Sequence, residues 1–393
     1  MSDRRLSDLV SVGVLTRTFP PELVDEVIAV AGRTEQRTRA LPARLMAYFA
    51  VGMALHSEGS YEDVLSLLAD GLGWASGAEP VKLPGKSAIF QARARLGAEP
   101  LESLFKRVAV PLAGPDAGGS WLAGRRLVAI DGTTLDVADT PENDAFFGRP
   151  GVNKGEGAAF PQARLVAVAE CATHAIFDAV IGPYGDGENT LAGELVDRLE
   201  PGMLVLADRG FCGYPLWSRA AAAGADLLWR AKSTMKPRHL ETLDDGTWLA
   251  ELRPGGNAGR TAAPLTVRVI DYTLDDGRPN NETYRLLTTL VDPDEAPAEA
   301  LAAAYAQRWE IEAVFDELKT HQRGPRIVLR SKSPDLVLQE IWGHLCCHYA
   351  IRALMWDAAD HAQVDPDRVS FVAALRIARR SIPRRAIFPP SPR

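Results

Sequence analysis

The chain has 393 residues, a formal net charge of −7, and 46% hydrophobic and 24% charged residues. At roughly 150 residues per domain this length predicts two or three domains, and the composition excludes a mostly disordered or fibrous chain. The longest apolar run, Leu45 to Leu55, falls short of the roughly 20 residues of a spanning helix. The opening Met-Ser-Asp-Arg-Arg-Leu lacks the apolar stretch of a signal peptide, so a cytoplasmic protein with no membrane partner is expected.

Up to about residue 110 the pattern is helical. Residues 20–31, 41–56 and 60–72 carry apolar positions three to four apart, with Pro20-Pro21 and Pro42 where helices begin. Ser87 is expected to cap a short helix that closes at Gly97 and carries Gln91, Arg93 and Arg95 on its exposed side. Such a helix can read a DNA groove, although basic residues on surface helices are common. Near residue 126 the pattern turns to strands: 126–130, 163–171, 175–182, 203–207 and 226–231, with helices near 190–199 and 214–223. Three strands in succession and then alternating helices and strands predict a mixed α/β sheet. Residues 232–283, with Gly/Pro/Asn-rich turns at 253–264 and 275–281, read as a β-rich insertion; 284–291 returns to strand, and a long helix spans about 298–321.

The four cysteines, Cys171, Cys212, Cys346 and Cys347, form no disulfide framework. His344 and His348 flank the adjacent pair, which suggests zinc. No second Cys/His pair lies at finger spacing, however, and 337–356 reads as one apolar helix, so packing residues are the expectation. Averages also hide basic patches. Arg33, Arg37, Arg39 and Arg44 cluster near the start, and from Leu375 onward there are six arginines (376, 379, 380, 384, 385, 393) and no acid. Patches of this kind support nucleic-acid binding only weakly, because charged faces are ordinary.

Two acids end predicted strands: Asp131 follows Leu-Val-Ala-Ile and Asp208 follows Leu-Val-Leu-Ala. If those strands are neighbours, both carboxylates enter one crevice, and a divalent cation relieves their repulsion; alternatively each Asp merely opens a turn. On the long helix, Tyr305, Arg308, Glu312 and Lys319 lie at offsets 0, 3, 7 and 14. At about 100° per residue these share an arc of roughly 60°, beside an apolar face of Ile311, Phe315 and Leu318. A third carboxylate flanked by two cations and a phenol suits two-metal phosphoryl transfer; an amphipathic helix with exposed charges is the plainer reading. Asp316, one turn beyond Glu312, is a decoy for the ligand.

The helix matches the Y-x2-R-x3-E-x6-K signature and so resembles the insertion-element-4 family of bacterial DDE transposases. Asp131-Gly-Thr-Thr-Leu-Asp and Leu206-Ala-Asp-Arg-Gly-Phe resemble its two acidic motifs. Thr140-Pro-Glu-Asn to Phe147-Gly-Arg-Pro and Phe160-Pro-Gln-Ala-Arg-Leu are also similar to it, as are Gly13-Val-Leu-Thr-Arg and Arg39-Ala-Leu-Pro-Ala near the start. The resemblance spans nearly the whole chain. It implies an RNase H-like mixed sheet with a β-rich insertion, preceded by an all-helical N-terminal domain. The divisions expected are 1–115 (DNA-binding), 116–231 and 284–345 (catalytic core), 232–283 (insertion) and 346–393 (helical, basic). It implies Asp131, Asp208 and Glu312 as catalytic residues binding two Mg²⁺ ions (Mn²⁺ as substitute), and Tyr305, Arg308 and Lys319 as contacts to transposon-end DNA. Trp248, with Trp229 as the other candidate, would stack near a flipped base at a hairpin. The implied partners are double-stranded DNA (terminal inverted repeats and target) and a second copy in a synaptic homodimer. The family commonly runs on past the basic proline-rich stretch, so the stop at Arg393 implies a shortened C-terminus. Two rival readings stand beside cut-and-paste transposition: a catalytically impaired end-binding repressor, and a metal-dependent nuclease that cleaves without joining.

Overall fold

The computed structural model describes residues 13–37, 39–76, 84–115, 117–151, 159–255, 262–273, 283–324 and 328–381. The turn at 275–281 and Arg384, Arg385 and Arg393 lie outside the described residues, and the side chain of Arg380 is likewise not described.

Six helices come first: α1 (Gly13–Thr18), α2 (Pro21–Val30), α3 (Ala43–Leu55), α4 (Tyr61–Ser76), α5 (Lys86–Leu96) and α6 (Glu99–Val108). Pro21 opens α2 and Pro42 caps α3, positions where a missing N–H costs nothing. The helix α5 begins one residue before Ser87. Gly85 is its N-cap and Ser87 sits inside the first turn, so the expected Ser87 cap is not made. Gly97 does close α5, with a φ of +74° that favours glycine.

The sheet begins with β1 (Trp121–Leu122) and β2 (Arg125–Val137). After α7 (Pro141–Phe147) come β3 (Gln162–Glu170), β4 (Ile176–Pro183), α8 (Glu188–Val196), β5 (Met203–Ala207), α9 (Tyr214–Ala222) and β6 (Asp226–Arg230). Then follow β7 (Arg238–Thr242), β8 (Trp248–Leu252), β9 (Leu265–Thr273) and β10 (Thr283–Thr288). The order is β4-β3-β2-β5-β6-β10-β9-β8-β7. The first three are antiparallel, and β2, β5 and β6 run parallel, which is the RNase H-like mixed arrangement expected. The strands of 232–283 do not stand apart as a subdomain. Through β10, which pairs with β6, they extend the same sheet. The strand at 126–130 is also longer than expected: β2 continues through Asp131 to Val137 because β3 pairs along its whole length.

Alternation along these strands splits the core in two. Val128, Ile130, Val205, Ala207 and Trp229 pack under α8 and α9. Leu127, Ala129, Leu204, Leu206 and Leu228 face the other way, toward the helices that follow β10 and the N-terminal helices. Those later helices are α10 (Ala298–Ala306), a 3-10 turn at Gln307–Trp309, α11 (Glu310–Asp316) and a π-helical segment at Glu317–Gln322. The expected long helix is therefore one rod wound three ways. After β11 (Val328–Leu329), which pairs with the end of β2, come α12 (Pro334–Ala362) and α13 (Phe371–Ser381).

The helix α12 joins the two halves. It crosses α3 so closely that a Cβ at Gly343 would lie 2.7 Å from the Ala50 carbonyl oxygen, which only glycine accommodates. The boundary expected at 345/346 falls inside this helix. Cys346 and Cys347 are fully buried there, as packing residues. Among the described residues no helix is long and apolar enough to cross a membrane.

Candidate active site

Asp131 and Asp208 reach one face of the sheet by strand parity. β2 and β5 are parallel neighbours with Ile130 beside Ala207, so the next residue of each chain segment is an aspartate. Asp131 shares parity with Leu127 and Ala129, and Asp208 with Leu204 and Leu206, so both emerge on the face covered by α10 and α11. The glycines of the two acidic motifs have local reasons. A Cβ on Gly132 would lie 2.9 Å from Glu188 Cγ of α8. At Gly210 the backbone N–H donates to Asp208 Oδ1 at 2.6 Å, and a Cβ would sit 2.8 Å from that oxygen.

Arg308 lies between two of the carboxylates. Its Nη1 is 3.6 Å from Asp131 Oδ2 and its Nη2 is 3.3 Å from Glu312 Oε1. Glu312 remains half exposed, whereas Arg308 is buried and its Nε has no partner among the described residues. Burial lifts the Asp131 carboxyl to about 6; the Gly132 N–H and Arg308 oppose the rise, and Asp208 and Glu188 add to it. Lys319 donates to Thr133 Oγ1 at 3.1 Å, on the same strand face as Asp131. Tyr305 is buried, its hydroxyl donates to the Ala207 carbonyl at 3.4 Å, and burial pushes the phenol up. The phenol therefore braces the end of β5 and is not presented to solvent. Arg308 and Lys319 both reach β2, at Asp131 and Thr133, although the rod tightens at 307–309 and widens at 317–322, and Glu312 joins them through Arg308. Asp316 points away, exposed and 3.4 Å from His321.

Among the described residues no group of three or more His, Cys, Asp or Glu is gathered closely enough to hold a metal ion. The donor chemistry of Asp131, Asp208 and Glu312 nonetheless suits a hard divalent cation, being all carboxylate oxygen. Burial first, and then the nearby Asp208 and Glu188, disfavour the charged form of Asp131, a cost that a cation would relieve and that Arg308 partly offsets.

Other expected contacts fall differently. Arg93 is fully buried, not on the exposed side of α5. Its guanidinium donates to Gln339 Oε1 (2.8 Å), Tyr61 Oη (2.7 Å), Ser331 Oγ (3.1 Å) and the Leu336 carbonyl (3.3 Å), tying α5 to α12. Gln91 and Arg95 are exposed. Trp248 is half buried on β8, stacked on His239 with ring centres 5.3 Å apart. Trp229 is a core residue packed edge-on against Trp217, which removes it as a base-stacking candidate. Thr140-Pro-Glu-Asn is a helix start: Thr140 caps α7, and Asn143 donates to the carbonyls of Ala138 and Ser331.

Sequence reasoning missed the clamp behind the site. Glu317 opens the π segment and accepts from Arg352 with both oxygens, Nε lying 2.9 Å from Oε2. His348 Nε2 is 3.1 Å from Oε2, and His174 Nδ1 is 3.4 Å from Oε1. His174 in turn reaches Glu310 at 2.9 Å. A glutamate set among Phe315 and Leu318 on the apolar face was the available signal.

Comparison with known proteins gives a consistent result. Residues 9–106 match the family model "Insertion element 4 transposase N-terminal", and residues 122–350 match "Transposase DDE domain". The chain is 31% identical over 365 residues to the transposase InsG for insertion sequence element IS4 of Escherichia coli (strain K12), covering 92% of this chain and 81% of that protein. Among solved structures, the piggyBac transposase synaptic complex with hairpin DNA aligns at a TM-score of 0.49 and 11% identity, over 98% of this chain and 83% of that one.

Proposed function

Because the chain belongs to the insertion-element-4 family of DDE transposases and is a DNA transposase, we propose that it moves its element by cut-and-paste transposition, with Asp131, Asp208 and Glu312 as the catalytic carboxylates. These three would hold two divalent ions, Mg²⁺ or Mn²⁺ in its place. Bound there, such ions supply Lewis-acid stabilisation of the attacking and leaving oxygens of an in-line displacement. The observation that carries the reading is the Arg308 bridge: one cation from the helix is shared by Asp131 on β2 and Glu312 on α11, beside Asp208.

In this reading water attacks the phosphodiester at the element's end and frees a 3′-OH. That hydroxyl attacks the opposite strand, closing a hairpin; a second hydrolysis opens it, and the 3′-OH then attacks target DNA. Each displacement expels one oxyanion, and Arg308 and Lys319 are placed to neutralise strand phosphates alongside it. Tyr305 supports the end of β5 from behind. Gln91 and Arg95 on α5 would touch the duplex end, and Trp248 a base near the hairpin. Two copies would act together on terminal inverted repeats, because both ends must be cut before joining.

The test uses supercoiled plasmid carrying the element's flanking ends, purified protein, and Mg²⁺ or Mn²⁺, with Glu312→Gln as control. Hairpinned excision products that need both metal and Glu312 are expected on denaturing gels. End binding without cleavage in either metal would overturn the catalytic reading in favour of a repressor. Cleavage without strand transfer would indicate a nuclease.

A further inference from the structure

The rod that carries Glu312 has a second stripe of side chains. Glu310 and Glu317 repeat the spacing of Glu312 and Lys319. Within α11 the step from Glu310 to Glu312 is about 200° at about 100° per residue, so the two stripes fall on roughly opposite sides of the rod. The front stripe meets β2: Lys319 donates to Thr133 Oγ1 at 3.1 Å, and Glu312 joins Asp131 through Arg308. The back stripe is held by residues that the chemistry proposed above leaves idle.

The hydrogen bonds behind the rod run in one consistent direction. A guanidinium only donates, so Arg352 Nη2, 2.6 Å from His174 Nδ1, makes that nitrogen an acceptor. The imidazole N–H is then on Nε2 and donates to Glu310 Oε2 at 2.9 Å. Arg352 also donates to both oxygens of Glu317, with Nε 2.9 Å from Oε2, and His348 Nε2 lies 3.1 Å from that same oxygen. One chain of contacts thus links Glu310, His174, Arg352 and Glu317, and all but the half-buried Glu310 are buried. His174, in the turn between β3 and β4, holds a left-handed φ of +57°, a strained state that persists only where its surroundings fix it.

The π segment is pinned at its far end as well. The Gln322 carbonyl accepts from Ser57 Oγ at 2.9 Å and from Arg379 Nη2 at 3.3 Å, and Gln322 Nε2 donates to the His344 carbonyl at 2.9 Å. Lys319 therefore stands on a widened turn fixed before and behind it, and widened turns of this kind are frequent at functional sites. Both stripes ride on one backbone. A rotation of the rod by about 20° would carry a side-chain tip about 5 Å from its axis through about 2 Å, enough to take Lys319 off its place against β2.

We propose that Glu310 and Glu317 are positioning residues: with His174 and Arg352 they fix the rotation of the rod about its axis, and so set Glu312 and Lys319 against β2 for strand cleavage. This rests on the transposase reading above and adds to it residues that act without touching DNA.

The test uses a duplex carrying the element's end, with binding measured in EDTA across a salt series and single-turnover cleavage measured in Mg²⁺. Lys319→Gln should lower the slope of log K against log[salt] by about 0.9, the value of one phosphate contact. Glu310→Ala removes the acceptor for His174. It should lower the slope by the same amount and cleavage by about 10²-fold, the scale of a misplacement of about 1 Å. The double variant Glu310→Ala/Lys319→Gln should lose no more slope than either single one. Glu310→Gln keeps an acceptor and should restore both readouts. Because Glu310 is half-buried, its variants avoid the folding loss expected at Glu317, and a smaller folded fraction reduces the protein that binds without changing the slope. A wild-type slope in Glu310→Ala, or losses that add in the double variant, would overturn the positioning. So would an unchanged slope in Lys319→Gln, which leaves the front stripe no contact to set. Glu310→Gln as impaired as Glu310→Ala would overturn it too, since charge and not held rotation would then be at work. Wild type that binds and cuts alongside any of these results removes the positioning alone. Wild type that neither binds nor cuts removes it together with the proposed function.

Discussion

Replacing Glu317 with glutamine tests whether the clamp behind the active site is a buried charge pair holding the π segment. The carboxylate is 10% exposed and its partner Arg352 4%, so neither is much screened by water. Glutamine keeps the shape, and its carbonyl still accepts one of the two Arg352 hydrogen bonds. What is lost is one charge-assisted bond, about 1.5–3 kcal/mol, together with the counter-charge of a buried guanidinium. Removing a buried partner altogether costs about 3–5 kcal/mol, so the retained bond places Glu317→Gln near 3 kcal/mol. The assay is urea unfolding of Glu317→Gln, Arg352→Met and the double variant as a cycle, at unchanged denaturant slope. The double variant should recover much of the loss, because no unpaired charge is left inside. A Glu317→Gln midpoint within about 0.5 kcal/mol of wild type, or strictly additive losses, would refute the clamp.

Two other outcomes can be checked on the same protein. The pKa of Asp131 is raised in the fold from 3.8 to about 6, so the protonated form is favoured there. Its contribution to stability is full below about pH 4 and is lost as pH rises through 6. About two units at about 1.4 kcal/mol each set a ceiling near 3 kcal/mol. In chelator, wild type should therefore lose up to that much against Asp131→Asn between pH 4 and 7, and parallel curves would show Asp131 to be unperturbed. Arg93→Met strands Gln339, Ser331 and Tyr61 and should cost about 3 kcal/mol in urea. Arg95→Gln should stay within about 0.5 kcal/mol yet weaken end binding in a gel-shift titration; the reverse pattern would move the DNA-facing side of α5.

Much of the catalytic sheet was legible because its signals are local. The apolar run 203–207 is β5 to the residue, and the alternation in β2 and β5 already put Asp131 and Asp208 on one face once the strands were neighbours. Arg93 was not legible in that way. Helical periodicity marks it as one more polar residue, and its partners Ser331 and Gln339 are more than 200 positions away, so nothing nearby reports its burial. The clamp is hidden for the same reason: Glu317 meets His174 and Arg352 only after the chain has crossed the sheet. A uniform 100° per residue likewise treated the rod carrying Glu312 as regular, when its winding changes twice. The inserted strands looked like a separate unit because the turns around them are distinct, and only the β10–β6 pairing makes them part of the main sheet.

The close crossing at Gly343 makes the molecule a ruler. α3 is buried at every position except Arg44, and much of what it packs on is α12, which also packs against the π segment behind Glu312. The N-terminal helices thus cannot swing as a bead on a string. If these helices grip an element's end, as proposed, the gripped stretch would be held at a set offset from Asp131, and the position of the cut would be measured off in protein before any strand is broken. On that reading, base pairs added between the gripped stretch and the cut would displace the break by the same number, because the α3–α12 packing ties the two parts together.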